Sequence, residues 1–111
     1  MRSIAFTALA ALACLACAPA GAEDLKTYKI SIKGHKFDPA ELHVAAAKPF
    51  FLVVTNQDDA ADEFEMGSPP LEKVLQPGAS GQMRVRPLAP GRFTFFDDFH
   101  PDTPKGAIVA E

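Results

Sequence analysis

Tryptophan is absent from the sequence and cysteine is nearly absent, which excludes several classes of protein. The two cysteines, Cys14 and Cys17, both fall in an N-terminal segment that we expect to be cleaved. The mature chain would then have no disulfide and no thiolate ligand for a metal ion, so its stability must come from packing. An immunoglobulin-type sandwich usually contains a buried tryptophan and a cysteine pair, and the mature chain would have neither.

The N-terminal segment has the features of a secretory signal peptide. Arg2 gives a short positive start, residues 4–17 form an almost unbroken apolar run, and residues 20–22 are small. This pattern predicts a signal peptide over residues 1–22 and one exported domain over residues 23–111. Lipidation of one of the cysteines is the weaker alternative, because no leucine stands three residues before either of them.

Basic residues are outnumbered and do not form a run. The chain has 14 acidic and 11 basic residues, and the acidic ones concentrate in residues 58–65 and 97–102. This balance argues against binding to nucleic acid or to an anionic membrane. No Ser-His-Asp arrangement and no glycine-rich phosphate motif indicates a small organic substrate.

The pattern of apolar residues predicts an all-β domain. Residues 26–33 alternate between apolar and polar side chains, as expected for a strand with one buried face. Residues 50–55 are continuously apolar up to a threonine, which is typical of a central strand covered on both faces. Residues 37–39 indicate a turn, and residues 71–75 fit a strand or an irregular segment. In total we expect seven to eight strands, no helix, and an antiparallel β-sandwich.

One stretch near the C-terminus places a carboxylate at the rim of this core. Phe93 and Phe95 lie on one face of a predicted strand, so Asp97 lies on the same face and Asp98 on the opposite one. A bare charge in that position is costly. A bound metal ion is one group that could compensate it.

The order of these segments resembles that of a cupredoxin domain along the whole mature chain. Three motifs carry the resemblance: residues 34–44, residues 50–58, and residues 91–100. The last begins Gly-x-Phe-x-Phe-Phe and places His100 three positions after Asp97. The resemblance implies a cupredoxin-like Greek-key β-sandwich.

The ligand positions differ from those of the blue-copper members of that family. The cysteine position is occupied by Asp97, the first histidine position falls near Asp62, and the axial methionine position reads Asp-Thr-Pro at residues 102–104. Only His100 matches the ligands that the resemblance implies. A blue-copper centre requires a thiolate, so we expect a colourless protein that does not transfer electrons through such a centre.

Within this family, the chain resembles the cupredoxin-like components of bacterial periplasmic iron-uptake systems. The resemblance rests on Glu-Phe-Glu at residues 63–65 and on Pro-Lys-Gly at residues 104–106. It implies a periplasmic location, binding of ferrous iron, and transfer to a membrane iron permease beside a periplasmic iron-binding partner. Whether the protein also oxidises the iron is left open by the sequence.

The candidate metal ligands are the side chains of the two acidic segments and the neighbouring histidine. Four come first and two next: Glu63, Glu65, Asp97 and His100, then Asp98 and Asp62. Such a set suits Fe(II), Fe(III), Mn, Zn or Cu(II), and it suits Cu(I) poorly. The alternatives are a non-blue Cu(II) carrier, a metal-free module that docks onto a permease, and solvated charges that protect strand edges. His35 and His43 are expected to be surface residues.

Overall fold

The computed structural model describes residues 24–111, and this part of the chain contains nine β-strands and no helix. In chain order the strands are β1 (Lys26–Lys33), β2 (Lys36–Asp38), β3 (Glu41–Val44), β4 (Phe50–Asn56), β5 (Asp62–Met66), β6 (Leu71–Leu75), β7 (Ser80–Val85), β8 (Gly91–Asp97) and β9 (Gly106–Ala110). Within the described range, no helix is long and apolar enough to cross a membrane. The predicted signal peptide lies outside the described residues.

The strands form two sheets, which confirms the all-β sandwich. One sheet has four strands in the order β2-β1-β4-β7, and the other has five in the order β3-β9-β8-β5-β6. The count is nine rather than seven to eight. One reason is that the segment expected to be only a turn also contains the short strand β2, which pairs with β1 and buries Phe37.

The sequence suggested a purely antiparallel sandwich, but the structure also contains parallel strand pairs. Strands β1 and β4 pair in parallel, and so do β3 and β9. A parallel pair needs a crossover between its strands. Here β3, which belongs to the opposite sheet, provides the crossover that returns the chain to β4 in the same direction as β1.

The core lies between the two sheets and follows the period-two alternation of their strands. In β4 the inward residues Phe50, Leu52 and Val54 are buried, and the outward residues between them are half-buried. The outer face of this strand is therefore not covered, contrary to the expectation from its continuous apolar run. Without cysteines, the described domain depends on this packed layer for its stability.

Three aromatic rings close the core at one end of the sandwich. The ring centroids of Phe37 and Phe95 are 4.8 Å apart in an edge-on arrangement, and those of Phe64 and Phe95 are 5.1 Å apart. Phe64 and Phe95 are fully buried; Phe64 lies two residues after Asp62, which begins β5, and Phe95 lies two residues before Asp97, which ends β8. Gly106 packs directly on the Phe95 ring, where an added Cβ would lie 2.2 Å from a ring carbon. These rings form the apolar layer of the core that lies next to the candidate site.

Candidate metal centre

Four metal-ligating side chains meet at this end of the sandwich: His35, Asp62, Asp97 and His100. Each offers one ligand atom, and these atoms all lie within 4.8 Å of one another. Both carboxylates are buried, and both imidazoles are half-buried. The cluster therefore faces solvent through its histidines only.

The two carboxylates are positioned by adjacent strands of the five-stranded sheet. Asp62 begins β5 and Asp97 ends β8, and because these strands are antiparallel, the two residues lie at the same end of the sheet. Both point inward with the core side chains and are at most 1% exposed. Asp97 Oδ1 accepts hydrogen bonds from the backbone N–H groups of Glu63 at 2.9 Å and Phe99 at 3.1 Å.

His100 is held by a turn that follows β8. Its backbone N–H donates to the Asp97 carbonyl, and its own carbonyl accepts from the backbone and the hydroxyl of Thr103. This turn directs the imidazole back over the strand end. Its Nδ1 lies 3.0 Å from Asp97 Oδ2 and 3.2 Å from Asp62 Oδ1.

His35 enters the cluster from the tip of the β1–β2 hairpin in the other sheet. Gly34 and His35 have φ values of 60° and 56°, and positive φ at both central residues is the mark of a type I′ turn. The carboxylate of Asp58 accepts hydrogen bonds from both of their backbone N–H groups. The imidazole stacks on that of His100 with 3.7 Å between ring centroids, and its Nδ1 lies 3.0 Å from Asp62 Oδ1.

The loop that supplies Asp58 is itself fixed from the core. The buried side-chain amide of Asn56 donates to the carbonyls of Ala60 and Leu75, and its oxygen accepts from the backbone N–H of Asp58. Asn56 thus orders the β4–β5 loop, and the loop carboxylate orders the hairpin tip. A histidine that sequence analysis placed at the surface is in this way held against the two buried acids.

Burial and mutual repulsion make it costly for Asp62 and Asp97 to be ionised at the same time. Burial, and then the neighbouring Asp97, raise the pKa of Asp62 to about 7. Burial also acts to raise the pKa of Asp97, but hydrogen bonds from Asp62, from backbone N–H groups and from His100 hold it below its usual value. The hydrogen bond with Asp62, and the charges of the nearby acids, raise the pKa of His35 against the opposing effect of burial. The cluster therefore retains protons that a cation could replace.

One atom of the cluster has no partner of its own. When Asp62 is ionised, its Oδ2 is completely buried and has no hydrogen-bond partner within residues 24–111. An unsatisfied buried oxygen on a carboxylate is costly, and natural proteins rarely leave one without a partner or an ion. This orphaned oxygen belongs to a carboxylate whose other oxygen, Oδ1, lies 3.0 and 3.2 Å from two imidazole nitrogens, so the residues present fit a bound cation.

The spacing of the donor atoms fits the same conclusion. The two Nδ1 atoms lie between 3.0 and 3.9 Å from the facing oxygens of Asp62 and Asp97. Four ligands with bonds of ~2.0–2.1 Å around a tetrahedral ion are separated by ~3.3 Å. The four nitrogen–oxygen distances are therefore close to those that such an ion requires.

The other predicted ligands form a second cluster on the outer face of the same sheet. Glu63, Glu65 and Asp98 offer three carboxylate oxygens within 4.8 Å of one another. Glu63 is only 5% exposed, and burial together with Glu72 and the other acids raises its pKa to about 7. The structure thus divides the six predicted ligands between two clusters, with Asp62, Asp97 and His100 in one and the remaining three in the other.

His43 takes part in neither cluster. Its ring lies on the outer face of β3, exposed to solvent, with Nδ1 2.6 Å from Glu111 and Nε2 3.0 Å from Glu41. Arg92 pairs with the other oxygen of Glu41 at 2.8 Å. This surface placement agrees with the expectation from its position on the polar face of a strand.

The fold and the site together define a class of protein. The chain is a two-sheet β-sandwich with a histidine-containing cluster at the end where the β4–β5 and β8–β9 connections meet. A family model described as the cupredoxin-like domain matches residues 5–110. The chain therefore belongs to the family of cupredoxin-like domain proteins.

Known relatives and solved structures agree with this assignment. A protein of Rickettsia prowazekii (strain Madrid E), described as uncharacterized protein RP394, is 37% identical over 87 residues, which cover 78% of this chain and 70% of that protein. Auracyanin A, a "blue" copper protein from Chloroflexus aurantiacus, matches with a TM-score of 0.66 at 13% identity over 77% of this chain and 98% of its own. The metal-binding domain of the Cu(I)-exporting ATPase CopA of Streptococcus pneumoniae D39 matches with a TM-score of 0.65 at 15% identity, over 83% and 92%. At these identities, the two structures show the fold.

Proposed function

We propose that this protein binds a divalent transition-metal ion through His35, Asp62, Asp97 and His100. The observation that carries the proposal is the buried, unpartnered Asp62 Oδ2 in a cluster whose imidazole nitrogens lie 3.0–3.9 Å from the facing carboxylate oxygens. The copper content of the structurally similar proteins named above supports it, since the cluster occupies the loop end of the same fold. The ion would be cargo that these four residues hold and release.

The donors favour particular ions. Two imidazoles and two carboxylates form a borderline set, and at equal availability Cu(II) binds such a set more tightly than Zn(II) or Fe(II). The lack of a thiolate or thioether makes it a poor Cu(I) site, and a Cu(II) complex would lack the blue thiolate charge-transfer band. The second imidazole, from His35, shifts the preference from iron toward copper and zinc relative to the set predicted from sequence.

Ferrous iron transport is the more specific form of the proposal. It rests on the resemblance to periplasmic iron-uptake components and on the all-oxygen outer cluster of Glu63, Glu65 and Asp98. Hard anionic oxygen ligands stabilise Fe(III) over Fe(II), so this cluster would favour any oxidation of bound iron. In this form the protein works in the periplasm and passes its ion to a membrane permease.

Calorimetric titration of the protein with Cu(II), Zn(II), Fe(II) and Mn(II) tests the proposal. We expect saturable binding of one ion at the inner cluster, tightest for Cu(II). His100→Ala and His35→Gly each remove one imidazole, and glycine suits the positive φ at position 35. Each should weaken Cu(II) and Zn(II) binding by about 100-fold or more, since even indirect support of a ligand is worth 10–100-fold.

The matched control is His43→Ala, which removes an exposed imidazole that lies outside the cluster. It should leave the affinities within a factor of two of the wild-type values, as a surface change that breaks no ligand contact. Absence of saturable binding by all four ions would overturn the proposal and favour the metal-free docking module. Equal losses for the three histidine variants would show that the site has been placed wrongly.

A further inference from the structure

The outer face of the four-stranded sheet carries a concentration of positive charge. Strand alternation directs five exposed basic residues to this face or to its immediate end: Lys29, Lys33, Lys36, Arg84 and Arg86. Asp38 is the one acidic residue on the face among the described strands of this sheet. The face is therefore strongly basic, although the whole chain has a formal net charge of −3.

The strand registers show how these cations are arranged. Arg84 stands beside Phe51, and Lys29 stands beside Val53 on the other side of β4. Lys33 pairs with Lys36 across the β1–β2 hairpin. With strands ~4.8 Å apart and ~6.6 Å between alternate residues, neighbouring cations are separated by roughly 5–13 Å over a flat surface.

Within the part of the chain that the structure describes, none of these five cations has an ion pair within 4 Å, although Asp58 and Asp59 lie beside Lys33 and Lys36. All ion pairs found in residues 24–111 involve histidines or Arg92, and Arg92 is paired with Glu41. Five unpaired cations on one rigid face repel one another. They are expected on a surface that meets an anionic partner.

The opposite outer face has the opposite sign. On the five-stranded sheet the outward residues include Glu63 and Glu65 of β5 and Glu72 of β6, with Asp98 just beyond β8. The two faces of the sandwich therefore form a charge dipole across its thickness. Near an anionic surface, this dipole would turn the basic face inward and the acidic face outward.

The side chains on the basic face indicate the kind of partner that this face binds. Protein interfaces depend on a few large anchoring side chains in a packed centre. The large hydrophobic residues that are exposed in residues 24–111, Val74 and Phe99, lie on the acidic face and in the turn before His100 rather than here. The large apolar residue on the basic face, Phe51, is half-buried, and the flat array of cations around it suits phospholipid headgroups, for which charge supplies the affinity.

We propose that the basic outer face of the four-stranded sheet docks the domain onto an anionic phospholipid surface. This revises the expectation from sequence, where no basic run was visible. The five cations are contributed by β1, β2, β7 and the residue that follows β7, up to 57 positions apart in the chain, and only the fold brings them together. With this face on the lipid, the metal centre at the end of the sandwich stays open to a membrane-bound partner.

Vesicle co-sedimentation tests this proposal. The full chain is expressed in a host that exports it, and wild type and variants are compared with the same N-terminus, as verified by mass spectrometry. We expect binding to phosphatidylcholine vesicles that contain phosphatidylglycerol, loss of binding at high salt, and little binding to pure phosphatidylcholine. Arg84→Gln with Arg86→Gln should lower the partition coefficient about 30-fold, since each surface cation contributes about a factor of five.

The control removes two exposed cations that lie on or beside the other sheet, Lys73→Gln with Lys105→Gln, so the net charge is the same in both double variants. It should lower the partition coefficient no more than about threefold, through the net charge alone. Equal losses in the two double variants, or equal binding to neutral vesicles, would overturn the proposal. So would salt-sensitive self-association that the arginine substitutions abolish, because the face would then belong to a second copy of this chain.

Discussion

The two carboxylate clusters lie back to back on the same sheet, yet they differ in composition and support. Asp62 and Glu63 are consecutive, as are Asp97 and Asp98, and strand alternation sends one of each pair to either face. The inner face adds two imidazoles from separate turns, and the outer face adds only another carboxylate, that of Glu65. One step along a strand thus separates a mixed nitrogen–oxygen site from an all-oxygen one.

The difference in support matters as much as the difference in donors. The inner acid Asp97 accepts two backbone hydrogen bonds, and His35 is fixed through Asp58. The outer acids face one another and Glu72, so their mutual repulsion acts without fixed donors to offset it. We conclude that the inner cluster is preorganised for an ion, and that the outer cluster depends on a cation to hold it together.

The largest expected difference is in the free energy of unfolding, between a variant that lacks one inner acid and a variant that lacks one outer acid. Asp97→Ala leaves the N–H groups of Glu63 and Phe99 without their acceptor, so the free energy of unfolding should fall by about 2–4 kcal/mol. Asp98→Ala removes an exposed side chain and should change it by less than about 0.5 kcal/mol. Urea denaturation in the presence of a chelator measures both. Equal losses would contradict the assignment of structural support to the inner acid alone.

A second contrast concerns affinity rather than stability. Asp62→Asn keeps the side-chain shape and removes the buried charge, so Zn(II) affinity should fall by about 100-fold. Glu65→Gln changes the outer cluster only, and the same calorimetric titration should show no more than a twofold change. If Glu65→Gln weakened Zn(II) binding as strongly, the outer cluster would be the site that binds this ion.

The role of Asp58 gives a smaller effect, because its carboxylate lies outside the four-residue cluster and supports one member of it, with Oδ2 3.3 Å from His35 Nδ1. Asp58→Ala removes the acceptor for the two N–H groups at the hairpin tip, which loosens His35 without deleting it. Cu(II) affinity should fall by about 10–100-fold, the range for residues that orient a ligand. Asp59→Ala, at the exposed neighbouring position, is the control and should match wild type. An unchanged affinity for both variants would show that the turn holds His35 unaided.

The smallest effect is expected from the surface network around His43. The hydrogen bond with Glu111, and the charges of Glu111 and Glu41, raise the pKa of His43 above 6.5 despite the opposing effect of burial. The stability that protonated His43 gains from Glu111 and Glu41 is fully present below pH 6.5 and is lost as the pH rises through the raised pKa. The Tm difference between wild type and His43→Gln, measured from about pH 5 to pH 9, should therefore narrow as the pH rises. A Tm difference that widens as the pH rises would contradict this assignment.

Most of the fold could be predicted because its signals are local. Period-two alternation located β1, β7 and the inward position of Asp97, and turn residues separated the strands. The parallel pairing of β1 with β4 could not be predicted in this way, since it depends on a crossover into the other sheet. The register of one strand against another is set by the packed core rather than by either strand alone.

The site was predicted in part, for the same reason. Asp97 and His100 lie three residues apart in one loop, and the resemblance of that loop to a cupredoxin metal loop was enough to pair them. His35 is 27 positions from Asp62 and stands on a different sheet, and nothing in its neighbourhood marks it as a ligand. The nearest signals are Gly34-His35, which suits a tight hairpin, and Asp58, which holds that hairpin from another loop. Contacts between loops of different sheets are a property of the folded chain.

Titration of the ¹⁵N-labelled protein with Zn(II), followed through the imidazole resonances, tests the central claim most directly. The structure places the Nδ1 atoms of His35 and His100 against the same two carboxylates. Their resonances should therefore shift together and saturate at one equivalent, and those of His43 should stay unchanged. A shift confined to His43, or three unshifted histidines at saturating Zn(II), would contradict a metal centre at this end of the sandwich.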